Sequence, residues 1–131
     1  QKKMNYADSI VGFQVVERIH EILSQLAKKG KAPMTYGQLA SQLNDELDAD
    51  LTPDGTRLRH ALGEVSRRSH EREGCMLSVM VVLAGNSADG KAGAPGGGFF
   101  RYAKELGYAF EDVDAFFVAQ ITAVYAAFAR R

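Results

Sequence analysis

The chain has 131 residues, 46% hydrophobic and 24% charged, with 16 Lys+Arg balanced by 16 Asp+Glu. This is the composition of one globular domain rather than a disordered chain, and zero net charge excludes both a uniformly basic nucleic-acid coat and an acidic mimic, leaving room for a local basic face. The single cysteine, Cys75, excludes a disulfide framework and a zinc site built on several thiolates; no apolar run approaches the roughly 18 residues needed to span a bilayer, and the N-terminal residues lack a signal-peptide pattern. The expectation is a cytoplasmic domain without a membrane partner.

Residues 1–7, with Gln1-Lys2-Lys3 ahead of Met4, read as a tail, and residues 8–131 as one domain. Asp8 or Ser9 caps a first helix whose apolar stripe is Ile10, Val11, Phe13, Val16, Ile19, Leu23 and Leu26, closed by Gly30. After a break at Ala32-Pro33-Met34, Thr35 and Gln38 form a capping-box pattern. The short helix behind it buries Leu39, Ala40 and Leu43. The connection from Asn44 to Leu51, with Asp45, Glu46, Asp48 and Asp50, reads as a solvated loop. Thr52 as N-cap, Pro53 at the first helical position and Asp54 at the dipole end start a third helix. Leu58, Ala61, Leu62 and Val65 point inward from it, and it stops near Gly74.

Met76 to Ala84 alternates Leu77, Val79, Val81 and Leu83 against Ser78, Met80 and Val82, which predicts a buried strand. Gly85 to Gly98, with Pro95 and repeated glycines, reads as a flexible hairpin or wing. A helix from Phe99 to Leu106 follows, stopped by Gly107. Asp112 or Asp114 then starts a last helix presenting Val113, Phe116, Phe117, Ile121, Val124, Tyr125 and Phe128 to the core or to a second copy of the chain. The fold class expected is α+β and mostly helical: a single winged helix-turn-helix-like domain with a small sheet and a C-terminal helix.

In that order of elements the third helix is the one that enters a DNA groove. With Leu58 at the centre of its buried face, steps of about 100° place Arg59, His60, Arg67 and His70 on the outward half, and Arg57 and Arg68 on the flank. Arginine suits phosphates and guanine edges because its planar fork donates two parallel hydrogen bonds. Glu64 and Glu71 dilute this face, and an i,i+4 pair such as Glu64–Arg68 is what a merely solvated helix would show. DNA contact, a solvated face and a protein-binding face remain open on the residues alone.

Met34-Thr35-Tyr36-Gly37-Gln38-Leu39-Ala40, then Thr56-Arg57-Leu58-Arg59-His60-Ala61-Leu62-Gly63, then Leu77 to Leu83, resemble the DNA-binding domain of the alkylguanine-DNA alkyltransferases and alkyltransferase-like proteins. The resemblance covers roughly Met34 to Leu106. It implies a winged helix-turn-helix, a phosphate or flipped-nucleotide contact at Tyr36, and DNA insertion by Arg57 and Arg59. Where that family carries its reactive proline-cysteine-histidine-arginine motif, this chain reads Leu77-Ser78-Val79-Met80. Cys75 lies upstream without the histidine that would generate a thiolate, so alkyl transfer is not expected.

Gly93 to Gly98 runs into the Phe99 helix and could face an anion, but it lacks the lysine and hydroxyl that close a phosphate-binding P-loop. His60 and His70 lie about 15 Å apart along one helix, too far to share a metal. Glu111, Asp112 and Asp114 suit a helix N-terminus without catalysis. No catalytic set, cofactor motif or metal motif emerges, so a non-enzymatic duplex DNA-binding protein is expected. Its contacts would be Tyr36, Arg57, Arg59, His60, Arg67, Arg68 and Lys91. The alternative is a protein-interaction module of inhibitor or immunity type, suggested by neutrality, the acidic Asp45–Asp54 segment and the aromatic last helix, which could also form a homodimer.

Overall fold

The Ser9 hydroxyl accepts the Gly12 amide at 3.0 Å and opens helix α1, Ile10–Lys28. The computed structural model describes residues 9–83 and 96–129. After α1 come β1 (Met34–Thr35), α2 (Tyr36–Leu47), α3 (Thr56–Glu73), a 3-10 turn (Leu77–Met80), β2 (Val81–Val82), α4 (Gly97–Glu105) and α5 (Val113–Ala129). The chain is thus mostly helical among its described residues, with a small two-stranded sheet. No described helix is long and apolar enough to cross a membrane.

The core-facing stripe of α1 is Gly12, Val15, Val16, Ile19, Ile22, Leu23 and Ala27. Ile10, Val11 and Phe13, expected inside, are 82%, 45% and 52% exposed. Gly12 takes the inward place in the first turn, so its bulkier neighbours turn outward. In α2 both capping-box bonds form: Gln38 N–H donates to Thr35 Oγ1 (3.1 Å), and Thr35 N–H to Gln38 Oε1 (2.9 Å). Leu39, Ala40 and Leu43 are buried as expected. A two-pronged ion pair joins α2 to α1, with Arg18 Nε 2.8 Å from Glu46 Oε2 and Nη2 2.7 Å from Oε1.

The acidic connection differs from the expected solvated loop. Its first residues complete α2, and Ala49 and Leu51 are buried. The Asn44 side chain closes the loop by accepting the Leu51 amide at 2.6 Å and donating to the Leu51 carbonyl at 2.8 Å. Asp48 and Asp50 adopt left-handed φ values of 52° and 53°, a conformation aspartate tolerates better than most residues. Helix α3 starts later than expected, with Gly55 rather than Thr52 at the N-cap. Residues 52–55 form a turn in which Gly55 N–H donates to the Thr52 carbonyl at 3.1 Å. A Cβ on Gly55 would lie 2.3 Å from Thr52 Oγ1, so the turn is built around that glycine. Leu58, Ala61, Leu62 and Val65 point inward, and Gly74, at φ 74°, ends the helix.

Of the expected strand from Met76 to Ala84, Leu77–Met80 form a 3-10 turn, and among the described residues Val81 and Val82 alone pair as strand. They pair in parallel with Met34 and Thr35. A longer strand would need a longer neighbour, and β1 offers two residues. The preceding amides bond elsewhere: Met76 to Gln120 Oε1 (3.0 Å), Leu77 to Ser69 Oγ (2.8 Å) and Val79 to the Met76 carbonyl (3.0 Å). Leu83 leaves the core at 53% exposure. Residues 84–95, which carry most of the expected wing, lie outside the described residues.

Helix α4 begins two residues before Phe99 and buries Phe99 and Ala103. Gly107 follows at φ 101°, and Tyr108 N–H returns to the Ala103 carbonyl at 3.0 Å. Asp112 Oδ1 accepts the amides of Asp114 (3.0 Å) and Ala115 (3.2 Å) at the start of α5. Phe116, Val124 and Phe128 sink into this chain's own core, while Phe117, Ile121 and Tyr125 are half-buried. Val113, expected inside, is 46% exposed, and the polar Gln120 is buried in its stead. Phe110 stacks on Phe116 with ring centroids 4.2 Å apart.

Two predictions follow from this packing. A Cβ on Gly63 would meet Tyr102 Cε2 at 2.4 Å, so α4 rests on α3 through a glycine surface. Gly63→Ala should cost about 1–3 kcal/mol by overpacking. In a Tyr102→Ala background the same change should be neutral or stabilising, because alanine is the better helix former; denaturant melts of the four proteins measure this sign reversal.

The second concerns His20, whose Nε2 is buried with no hydrogen-bond partner among the described residues. Its Nδ1 is 3.4 Å from Ser24 Oγ, and its ring meets Phe128 edge-on. Burial lowers its pKa below the usual 6.5, outweighing the attraction of Glu73. The unfolded chain therefore binds this proton more readily, so stability is greatest above about pH 6.5 and falls as the pH drops through the lowered folded value. His20→Leu should flatten that acid limb in a pH series of melts.

Candidate nucleic-acid interface

The ends of three elements meet beside the first turn of α3. The capping box fixes Tyr36 at the start of α2, and its half-buried hydroxyl accepts the Gly96 amide at 3.1 Å. Burial raises the Tyr36 pKa above 10, while the Gly96 amide acts the other way. The phenol is therefore neutral at physiological pH. Gly96 is the N-cap of α4, and it has no side-chain cap; nor has Gly55, the N-cap of α3. One turn into α3, the Arg59 stem runs past Gly98, with Cγ and Cδ 3.6 Å from where a Cβ on that glycine would stand. Its guanidinium turns back so that Nη2 donates to the Asp54 carbonyl at 3.3 Å. Arg57 and His60 are exposed on the same turns.

The C-terminal half of α3 is electrically different. Arg67 donates from Nε to Glu64 (2.5 Å), from Nη2 to the second Glu64 oxygen (3.0 Å) and from Nη1 to Glu71 (2.9 Å). These carboxylates raise its pKa further above the ordinary arginine value. Arg68 bonds Glu17 of α1 at 2.5 Å, stands 4.0 Å from Glu64, and lies over the Phe13 ring at 5.6 Å. The outward half of α3 is also narrower than the helical wheel suggests. Tyr102 covers Gly63, and His70, expected to point outward, bonds through Nδ1 to the Tyr108 hydroxyl at 2.7 Å.

Of the residues expected at a DNA site, the structure brings together Tyr36 and Arg59 around Gly96 and Gly98, with Arg57 and His60 nearby on α3. It ties Arg67 and Arg68 to carboxylates. Lys91 lies outside the described residues. The glycine contacts were not foreseen; a glycine run leading into a helix was the signal present, but it carries no information about which helix it meets. Cys75 is buried, and among the described residues no group of three His, Cys, Asp or Glu side chains is placed to hold a metal.

Comparisons with protein-family models, with curated proteins and with solved structures returned no match.

The Tyr36 hydroxyl links α2 to the start of α4. Tyr36→Phe should lower stability by about 0.5–1.5 kcal/mol, the net worth of one such bond. It should raise the hydrogen-exchange rate of the Gly96 amide more than those of α1.

Proposed function

We propose that this chain binds duplex DNA without catalysing a reaction. In this reading its scaffold is of winged helix-turn-helix type, related to the alkyltransferase-like domains but without alkyl transfer. The observation that carries the reading is the exposed Arg57, Arg59 and His60 at the start of α3, next to two helix N-termini that have no side-chain cap. Exposed guanidinium groups and the positive ends of helices both favour phosphate oxygens. Tyr36 lines the side of this region, and Lys91, the cation expected on a wing, lies outside the described residues. Zero net charge makes the affinity modest, and contacts to phosphates make it fall with added salt.

A protein-interaction role is favoured by apolar residues exposed on the surface, Ile10 and Phe13 on the first turn of α1 and Val118 on α5. On the last helix Phe116 and Phe128 are core residues, while Val113 and Val118 are exposed and Phe117 is half-buried. Titration with a random-sequence duplex at low salt tests the leading reading. Saturable binding that weakens steeply with added salt, and that is lost in Arg57→Ala plus Arg59→Ala, is the expected result. A protein that binds no duplex at low salt, yet retains a protein partner from nuclease-treated lysate, would reverse the order of the two readings.

A further inference from the structure

We infer that α3 meets the duplex end-on, presenting its first turn to the groove instead of lying lengthwise in it; this inference rests on the DNA-binding reading above. Relative to the buried Leu58, steps of about 100° put Arg57 on one flank, Arg59 on the other and His60 behind. They spread over about 160° of the half turned away from Leu58, too wide for one narrow strip, and come closest together at the N-terminal end of the helix.

The Arg59 guanidinium lies towards that end, since it reaches back five residues to the Asp54 carbonyl. Helical side chains lean towards the N-terminus in general, so Arg57 and His60 lean the same way. The uncapped Gly55 adds the positive end of the helix dipole.

The side of α3 is poorly suited to DNA, for two independent reasons. Glu64 and Glu71 hold Arg67, and Glu17 holds Arg68, so a phosphate approaching there meets carboxylates as well as arginines. The side is also partly covered: Tyr102 of α4 sits on Gly63, about 140° round from Leu58, between the directions of Arg59 and Arg67. A duplex laid along the outward face would have to displace α4. Arg67 is also about 12 Å further along the axis than Arg59, beyond the roughly 10 Å screening length at 0.1 M salt.

End-on entry makes the contact small, a few phosphates and one groove edge, and places the Asp54 carboxylate within reach of the DNA backbone. Fluorescence anisotropy with a labelled random duplex, repeated across a salt series, tests this on the whole chain. Arg57→Ala and Arg59→Ala should each weaken binding at least about fivefold. Each should also reduce the magnitude of the log–log salt slope by about 0.9, the release expected for one phosphate contact. Asp54→Asn should tighten binding.

Arg67→Gln combined with Glu64→Gln removes one charge of each sign from an exposed pair, and should leave affinity within about twofold and the slope unchanged. If that double variant loses as much affinity as Arg59→Ala, or if neither Arg57→Ala nor Arg59→Ala changes the slope, end-on entry is wrong while DNA binding stands. If the unaltered chain binds no duplex at low salt, the DNA-binding reading itself falls. Circular dichroism melts of each variant separate lost contacts from lost fold.

Discussion

Every residue from Cys75 to Val82 is buried, and a chain segment in that position must find partners inside the protein for its amides and carbonyls. The rest of the architecture answers this demand. Helix α3 supplies Ser69, whose hydroxyl accepts the Leu77 amide, and Ser66, whose hydroxyl meets that of Ser78. Helix α5 supplies Gln120, which accepts the Met76 amide. The 3-10 turn satisfies Val79 locally, and β1 pairs with Val81 and Val82. Replacing Gln120 or Ser69 by an apolar residue would leave a buried amide without its partner, a cost of about 1–3 kcal/mol each. These polar residues are therefore as much part of the core as the leucines around them.

The same ladder places the candidate interface. Thr35 ends β1 and is also the N-cap of α2, so the pairing of Thr35 with Val82 fixes the helix start within one residue. Tyr36 comes next and carries that placement to the Gly96 amide. From there α4 descends onto α3, held where Tyr102 meets Gly63. The first turns of α2, α3 and α4 are thus referred to one buried segment. Among the described residues, Tyr36, Arg57, Arg59 and His60 all stand on the first turns of helices.

Much of this was legible in the sequence because it is local. The Thr35–Gln38 capping box, the glycine stops at Gly74 and Gly107, and the inward faces of α2 and α3 depend on spacing within a turn or two. What could not be read depends on distant partners. Met76 to Met80 has the β-rich composition of a strand, but whether it extends depends on the length of the neighbour it finds. The alternation was real; the partner was too short. The inward face expected for the last helix omits Gln120, because its partner, the Met76 amide, lies 44 residues away. The first turn of α1 was misassigned for the opposite reason: Ile10, Val11 and Phe13 are apolar, yet Gly12 is the residue that fits against the core. At the interface the arginines were visible but their partners were not all so. Glu17 is 51 residues from Arg68, and no helical wheel relates them.

That difference bears on how charge should be counted. A tally along α3 gives Arg57, Arg59, Arg67, Arg68 and Arg72 against Glu64, Glu71 and Glu73, a mildly basic helix of uniform appearance. The geometry divides it. Exposed ion pairs such as Arg67–Glu71 contribute little to stability, about 0–1 kcal/mol each, so their presence is hard to explain as reinforcement of the fold. Their larger effect is on the field. Each pair cancels a positive charge that would otherwise attract phosphate along the side of α3, while Arg59 and His60 stand exposed at its start. A neutral chain can in this way hold its positive potential at one helix end, where the dipole adds to it, instead of spreading it over a face where packing by α4 leaves no room for a partner.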